Sequence, residues 1–316
     1  MFEGQSVLVT GGTGSFGQAF CRAVLTRHQP RRLIILSRDE FKQAQMEEKF
    51  NDSRLRFFLG DVRDRDRLMR AFNDVHVVVH CAALKRIESG EYNPAEVVKT
   101  NIVGAQNVLD ACIDRGVEKV IGLSTDKAVN PVNLYGASKL CAEKLFTAGN
   151  SYAGGKKTRF SVVRDGNVKA SRGSVIEIWR EQAKTGELTI THPQMTRFWL
   201  SLEQAVEFVL VALREMKGAE VFVPKIPSVR MVDVAKAIAP DARLRVTGVR
   251  LGEKMHELLV SPDESWNAVD CGDYYVISPT PEKVQGTPVG EGFKYSSDSN
   301  SEWLSVGDIR RELGEK

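Results

Sequence analysis

One run, SVLVTGGTGSFGQAF at residues 6–20, limits the possible folds more than any other stretch of this chain. A short apolar segment passes into a glycine-rich turn. The turn opens directly into GQAFCRAVLTRH, whose apolar residues recur at helical spacing. Gly11, Gly14 and Gly17 give the pattern GxxGxxG. Glycine permits the tight turn and lets backbone N–H groups approach a pyrophosphate at the helix N-terminus, where the dipole favours negative charge. This strand–turn–helix context assigns Gly11, Thr13, Gly14, Ser15, Phe16 and Gly17 to a dinucleotide. The alternative is an ordinary glycine-rich turn.

The same alternation continues downstream. RLIILSR, RLRFFLGD, VHVVVHCAA and KVIGLST read as strands. DEFKQAQMEEKF, DRDRLMRAF and the region NPAEVVKTNIVGAQNVLDACIDRG read as helices between them. Continuous Val/Ile/Leu strands separated by helices predict an α/β fold, a Rossmann-like doubly wound parallel sheet with right-handed crossovers. Near residue 160 the pattern changes to short strands, helices and loops. The expected division is a dinucleotide-binding domain over 1–165, carrying the reacting residues. A smaller, interleaved C-terminal α/β substrate domain then covers 166–316, with a soft boundary. A chain of 316 residues buries roughly 75% of its unfolded surface, so its core needs no covalent staples.

Charge excludes some partners. Lys and Arg total 44 against 41 Asp and Glu, too balanced for nucleic acid or an acidic membrane surface. A local basic cluster for a small anion remains compatible with that total. The five cysteines are scattered, without a CxxC, and read as buried free thiols of a reducing compartment. No charged leader and no apolar run of about 20 residues occurs, so a cytoplasmic protein is expected. No metal-ligand spacing is apparent.

An NAD site commonly has an acid at the end of the second strand to hold the ribose 2′-hydroxyl. Here Ser37 and Arg38 stand there, with Lys42 one turn later. These cations suit a 2′-phosphate and favour NADP; the alternative is that Asp39 holds a hydroxyl. Asp61 and Val62 follow the third strand, where an adenine can rest, although Asp61 can equally be a helix cap. Ala82 and Ala83 close the fourth strand with small side chains that let a cofactor lie over the backbone. Lys85 follows them.

The reacting centre is expected in STDKAVNPVNLYGASK at 124–139. Tyr135 and Lys139 share a helical face at i, i+4. A free tyrosine has a pKa near 10, and a fixed ammonium favours its phenolate. Tyr135 can then accept a hydroxyl proton as a hydride leaves. Asp126 and Lys127 add a carboxyl and an amine beside it. Their bland reading is a surface ion pair.

TGGTGSFG, GDV, HCAALK, TNIVGAQNV and YGASK, in that order, resemble the extended short-chain dehydrogenase/reductase family. The resemblance implies a Rossmann fold with a C-terminal sugar-nucleotide domain. It implies that Thr125 contacts the substrate hydroxyl and that Asn101 is a structural or proton-relay residue, here counted with the cofactor site. Thr125-Asp126-Lys127, where many 4,6-dehydratases carry Thr-Asp-Glu, looks like the inverting UDP-N-acetylglucosamine 4,6-dehydratases that begin pseudaminic acid synthesis. SRDEFKQAQM, MTRFWLSLEQAVEFVL, GEKMHE and YSSDSNSEWLS resemble that group too.

The chemistry this implies is a redox-neutral cycle. Tyr135 and the cofactor oxidise C4. A neutral Lys127 in a dry pocket removes the C5 proton, and a protonated Asp126 assists departure of the C6 hydroxyl. Which of Lys127 and Tyr135 handles the C5 proton is left open. The resemblance further implies substrate contacts from Lys85, Thr125, Asn167, Arg172, Ser174, Thr196, Arg197, Arg250 and Glu253. His256 reads equally as a structural hydrogen-bonder or a ligand. VRDGNV, with Asp165 where the group has Tyr, and Ala170, Glu177 and Trp179 depart from the pattern beside the sugar site. The rival readings are a retaining dehydratase, a 4- or 5-epimerase on a related UDP-sugar, or a non-catalytic nucleotide-sugar sensor. The family suggests a homo-oligomer, a dimer or a hexamer.

Overall fold

The computed structural model describes residues 1–169 and 174–315. Strand β1 (Ser6–Thr10) is buried along its whole length, as a strand covered on both faces must be. The glycine turn delivers the chain into α1 (Ser15–Arg27), then β2 (Arg32–Ser37), α2 (Glu40–Phe50), β3 (Leu55–Leu59), α3 (Arg65–Ala71) and β4 (Val77–His80). Asp39 and Asp64 cap α2 and α3 by accepting the backbone N–H groups of Lys42 and Arg67. These caps satisfy donors that a helix start leaves orphaned.

After β4 come two short helices, α4 (Ile87–Tyr92) and α5 (Pro94–Val97). A π-helical turn over Val98–Val103 then runs into α6 (Gly104–Arg115). Strand β5 (Lys119–Thr125) ends in a 3₁₀ turn, Asp126–Ala128. The long α7 (Leu134–Tyr152) and β6 (Arg159–Asp165) follow. Parallel pairing orders these strands β3-β2-β1-β4-β5-β6, the doubly wound arrangement the alternating pattern predicts.

The rest of the chain does two things. It builds a smaller layered unit from β7 (Asn167–Val168), α8 (Val175–Ala183), β8 (Glu187–Ile190) and β9 (Thr196–Leu200). It also sends α9 (Leu202–Glu215) and β10 (Val221–Pro224) back to the large sheet, where β10 pairs parallel with β6. Next come β11 (Ser228–Arg230), α10 (Met231–Ile238), β12 (Arg243–Val246) and β13 (Leu258–Val260). Strands β14 (Ala268–Asp270), β15 (Tyr274–Ile277) and β16 (Thr287–Pro288) extend the large sheet antiparallel beyond β10. Strand β17 (Tyr295–Ser296) pairs with β13, and α11 (Val306–Leu313) closes the chain. The smaller unit has its own core, in which Ile176, Trp179, Leu188, Trp199, Val234 and Ile309 are buried.

No helix among the described residues is long and apolar enough to cross a membrane.

Candidate active site

The glycine turn is a backbone cradle. Gly11 has φ +66°, and a Cβ there would lie 2.9 Å from the Cα and N of Ala82; at Gly17 a Cβ would lie 2.5 Å from Gly12 Cα. Side chains are therefore excluded where β1 and β4 end side by side. Thr10 seals this end. Its hydroxyl bonds His80 Nδ1 at 2.7 Å and accepts from the N–H groups of Cys81 and Ala82. Burial and the nearby Lys139 charge hold His80 down at about 3, so it stays neutral. Thr13 is buried, and Ser15 and Phe16 open α1 with the Phe16 ring stacked on Phe20. A dinucleotide pyrophosphate fits this turn.

Further along the C-terminal edge, Gln43 donates to the hydroxyl and carbonyl of buried Ser37. The exposed Arg38 lies 3.6 Å from Asp61, which is also paired with Arg63 at 2.7 Å. Lys42 is bound to Asp39, the α2 cap. Asp39 is therefore engaged with its own helix, while Arg38 is half exposed at the edge of the cradle. Val62 is buried beneath Gly104, and Ala82 and Ala83 line the approach with Lys85 exposed beyond them.

Asn101 sits in the π-helical turn, fully enclosed. It donates to Leu84 O at 2.9 Å and to Ser138 Oγ at 2.9 Å, and accepts from Leu84 N at 2.8 Å. Ser138 in turn donates to Tyr135 O at 2.8 Å. With its amide committed on both sides, Asn101 ties the segment after β4 to the helix that carries Tyr135.

Tyr135 and Lys139 lie on the first turns of α7, capped by Asn133. Gly136 sets their position: a Cβ there would come within 2.2 Å of Lys127 O. Only glycine lets α7 dock against the 3₁₀ turn, and the docking brings Tyr135 to Thr125, Asp126 and Lys127. Burial pushes the Tyr135 phenol up to about 12; the Lys127 cation and a Thr125 hydrogen bond oppose this. Burial lowers Lys139 to about 8.

Asp126 is wholly buried. Its Oδ1 accepts from Thr125 Oγ1 at 2.9 Å and from Lys127 Nζ at 2.9 Å, while Oδ2 is buried without a partner. Burial raises its pKa, Lys127 opposes, and the Glu257 charge raises it further. The shift is toward the protonated form. Lys127 differs from the sequence-based expectation of a neutral amine. Burial alone lowers a lysine, but Asp126 and Glu257 at 3.4 Å outweigh it and hold the ammonium. The pocket contains two carboxyls beside this amine, and the sequence had shown only one.

The second carboxyl, Glu257, has a side chain 3% exposed and is ringed by Lys127, Arg197 Nε at 3.8 Å and Lys254 at 3.7 Å. It closes the run GEKMHE just before β13, and no spacing rule links it to Lys127. Arg164 is the other group missed. It is buried and ion-paired with Glu143 on α7 at 2.8 Å and with Glu264 at 2.6 Å, directly behind β5, β6 and α7.

The residues expected on the substrate side divide. Arg197 is buried beside Glu257 and donates to the carbonyls of Thr196 and Met255. The Thr196 hydroxyl is occupied by His256 Nδ1 at 2.8 Å and Ser297 Oγ at 2.7 Å. Those bonds make Thr196 and His256 structural in this state. Asn167 Oδ1 and Ser174 Oγ are buried and unpartnered, so both have capacity to spare for a ligand. Arg250 is exposed and bonds Glu88 at 2.9 Å, with Glu253 nearby. This places the pair on the loop over α4, apart from the buried cluster around Glu257. Arg172 and Ala170 lie outside the described residues.

A family model described as "Polysaccharide biosynthesis protein" matches residues 7–279. The chain belongs to this family. It is 49% identical to a Campylobacter jejuni protein named UDP-N-acetylglucosamine 4,6-dehydratase (inverting), covering 98% of this chain and 97% of that one. It is also 44% identical to a Rickettsia prowazekii protein named UDP-glucose 4-epimerase, over 88% of this chain and 84% of the relative. Among solved structures, a protein called Pen from Bacillus thuringiensis superposes with a TM-score of 0.92 at 35% identity, covering 99% of this chain and 98% of the other. The order of motifs and the sheet topology thus agree with the family.

Proposed function

We propose that the protein is an NADP-dependent UDP-N-acetylglucosamine 4,6-dehydratase that inverts C5. It is a carbon–oxygen lyase whose product, a UDP-2-acetamido-2,6-dideoxy-hexos-4-ulose, feeds pseudaminic acid or surface polysaccharide synthesis. The observation that carries this reading is the buried, unpartnered Oδ2 of Asp126, adjacent to Lys127 and beside Tyr135. An acid, an amine and a phenol in one crevice at the strand ends suit the proton transfers that a dehydration needs at C4, C5 and C6.

The glycine cradle and Arg38 suit a dinucleotide carrying a 2′-phosphate. When bound, that cofactor would supply hydride acceptance from C4 and hydride return to C6, with C5 then taking up a proton on its opposite face. Tyr135 takes the C4 hydroxyl proton, with Lys139 favouring the phenolate. The C4 ketone acidifies the C5 hydrogen, which Lys127 removes once its amine is neutral. Asp126 gives its Oδ2 proton to the departing C6 oxygen. Asn167, Ser174, Arg172 and Arg197 are assigned to the nucleotide sugar, with Arg250 and Glu253 at the rim. The same reading makes the protein a cytoplasmic homo-oligomer, a dimer or a hexamer.

The Rickettsia relatives favour a second reading, epimerisation at C4. An epimerase needs Tyr135 and a cofactor, but no acid aimed at C6. Incubation with UDP-N-acetylglucosamine in D₂O, followed by proton NMR, separates the two. A 6-methyl signal with deuterium at C5 is the expected outcome; an unchanged C6 with a new C4 configuration overturns it. Asp126→Asn is expected to slow methyl formation by ~10²-fold or more, the scale of a lost general acid.

A further inference from the structure

Lys127 presents a proton problem. To take hydrogen from C5 it must be a neutral amine, yet in the folded pocket it is an ammonium between two carboxyls, Asp126 Oδ1 at 2.9 Å and Glu257 Oε1 at 3.4 Å. Asp126 cannot relieve it. Its Oδ1 already accepts two hydrogen bonds, and its Oδ2 must keep a proton for the C6 oxygen.

Glu257 can. It faces Lys127 through Oε1 at 3.4 Å, while its Oε2 is buried 3.7 Å from Lys254 without a hydrogen bond. Its backbone is fixed: its N–H donates to Ser297 Oγ at 2.9 Å, and its C=O accepts from Ser297 N at 2.9 Å. The groups facing it are Lys127 and Asp126 from the turn after β5, Arg197 from β9 and Lys254 from its own loop; burial raises its pKa, but the three cations outweigh burial and keep it a carboxylate, free to accept a proton.

We infer that Glu257 is the proton acceptor that discharges Lys127, so that the base of this site is a Lys127–Glu257 dyad. The inference rests on the dehydratase reading above. In the step, an Nζ–H bond breaks and an Oε–H bond forms. The electron pair stays on nitrogen, and an ion pair becomes a neutral amine and a neutral acid. The amine then takes the C5 proton. The C–H electrons form the C5–C6 double bond, and the C6 oxygen leaves with its electrons and the Asp126 proton as water.

Desolvation supplies the drive. The Lys127 side chain is still 20% exposed without substrate. A sugar lying over it removes that water, and a drier site shifts the Lys127–Glu257 pair toward its neutral form, against the pull of the Arg197 and Lys254 charges. Glu257 acts through Lys127 and does not touch the sugar, so it is a positioning residue. Lys254 also reaches the carbonyls of Asp126 and Val129, which fastens this loop to the β5 turn. Through Arg197 of β9 the dyad also touches the smaller unit.

The test is single-turnover reaction of NADP-loaded wild type, Glu257→Gln and Glu257→Asp with UDP-N-acetylglucosamine. Cofactor reduction and 6-methyl formation are followed separately across pH. For Glu257→Gln we expect reduction at C4 within a few-fold of wild type but methyl formation slowed ~10²-fold or more. The residual rate should rise with pH, because Lys127 must now lose its proton to solvent. Glu257→Asp should recover part of the rate and the wild-type profile. Methyl formation in Glu257→Gln at the wild-type rate and pH profile overturns the dyad. So does equal slowing of both steps together with a lowered melting temperature, which marks a structural role. A wild type that reduces cofactor but makes no methyl product overturns the dehydratase reading itself, and the dyad with it.

Discussion

Asp165 ends β6 with its Oδ1 buried and unpartnered, at a position where the resembling enzymes carry tyrosine. Burial, and then the charge of Asp126, push its pKa up to about 8. An unfolded aspartate releases its proton near 4. The folded state therefore binds more protons between about pH 4 and pH 8, and stability falls as pH rises through that window. We expect the melting temperature of the cofactor-free protein to decline from about pH 5 to pH 8, and Asp165→Asn to flatten the decline. Parallel curves for the two proteins would show that Asp165 titrates normally. A neutral Asp165 also keeps negative charge away from Tyr135, whose phenolate it would otherwise oppose. The substitution of an acid for a tyrosine is thus compatible with the site only because the acid holds its proton.

At the scale of elements, the contact between α7 and the 3₁₀ turn after β5 decides whether the catalytic groups meet. Gly136→Ala introduces a methyl 2.2 Å from Lys127 O, a distance that forces one element to move. Overpacking of this kind costs about 1–3 kcal/mol, and the shift separates Tyr135 from Lys127. The expected outcome is a folded variant, by circular dichroism, with methyl formation reduced at least about tenfold, since misplacement near 1 Å costs up to ~10²-fold. Wild-type turnover would show that the docking is not needed. The glycine turn, β1 to β6 and the Tyr135–Lys139 spacing are legible in the sequence because each is local, as a period, a turn or a helical repeat. Glu257 is not, since its meaning comes from Lys127, Arg197 and Lys254 converging from three separate segments. Arg164 looks like a charge interrupting a strand until Glu143 and Glu264 are seen on either side of it. Strands β14 to β16 are two to four residues long, too short for alternation to show, and only their pairing reveals them.

On the scale of the whole molecule, one sheet takes six strands from the first 165 residues and four from beyond them, β10, β14, β15 and β16. The C-terminal half therefore cannot detach as a whole without exposing the sheet edge at β6. Arg164 reinforces this connection from inside. Its guanidinium is 1% exposed and holds Glu143 of α7, Glu264 beyond β13 and the carbonyl of Leu259. Replacing one member of a buried ion network leaves the others charged and unpaired, at about 3–5 kcal/mol. For Arg164→Met we expect a loss of that order in urea titrations, larger than a surface change by several-fold. Because the sheet and the network span both halves, calorimetry of the wild type should give one endotherm whose measured enthalpy equals the van't Hoff value. The variant should lower its midpoint without splitting it. Two endotherms in the wild type would mean that the halves fold independently. A change below about 1 kcal/mol in Arg164→Met would mean that the triad contributes no net stability and that strand pairing alone holds the halves together.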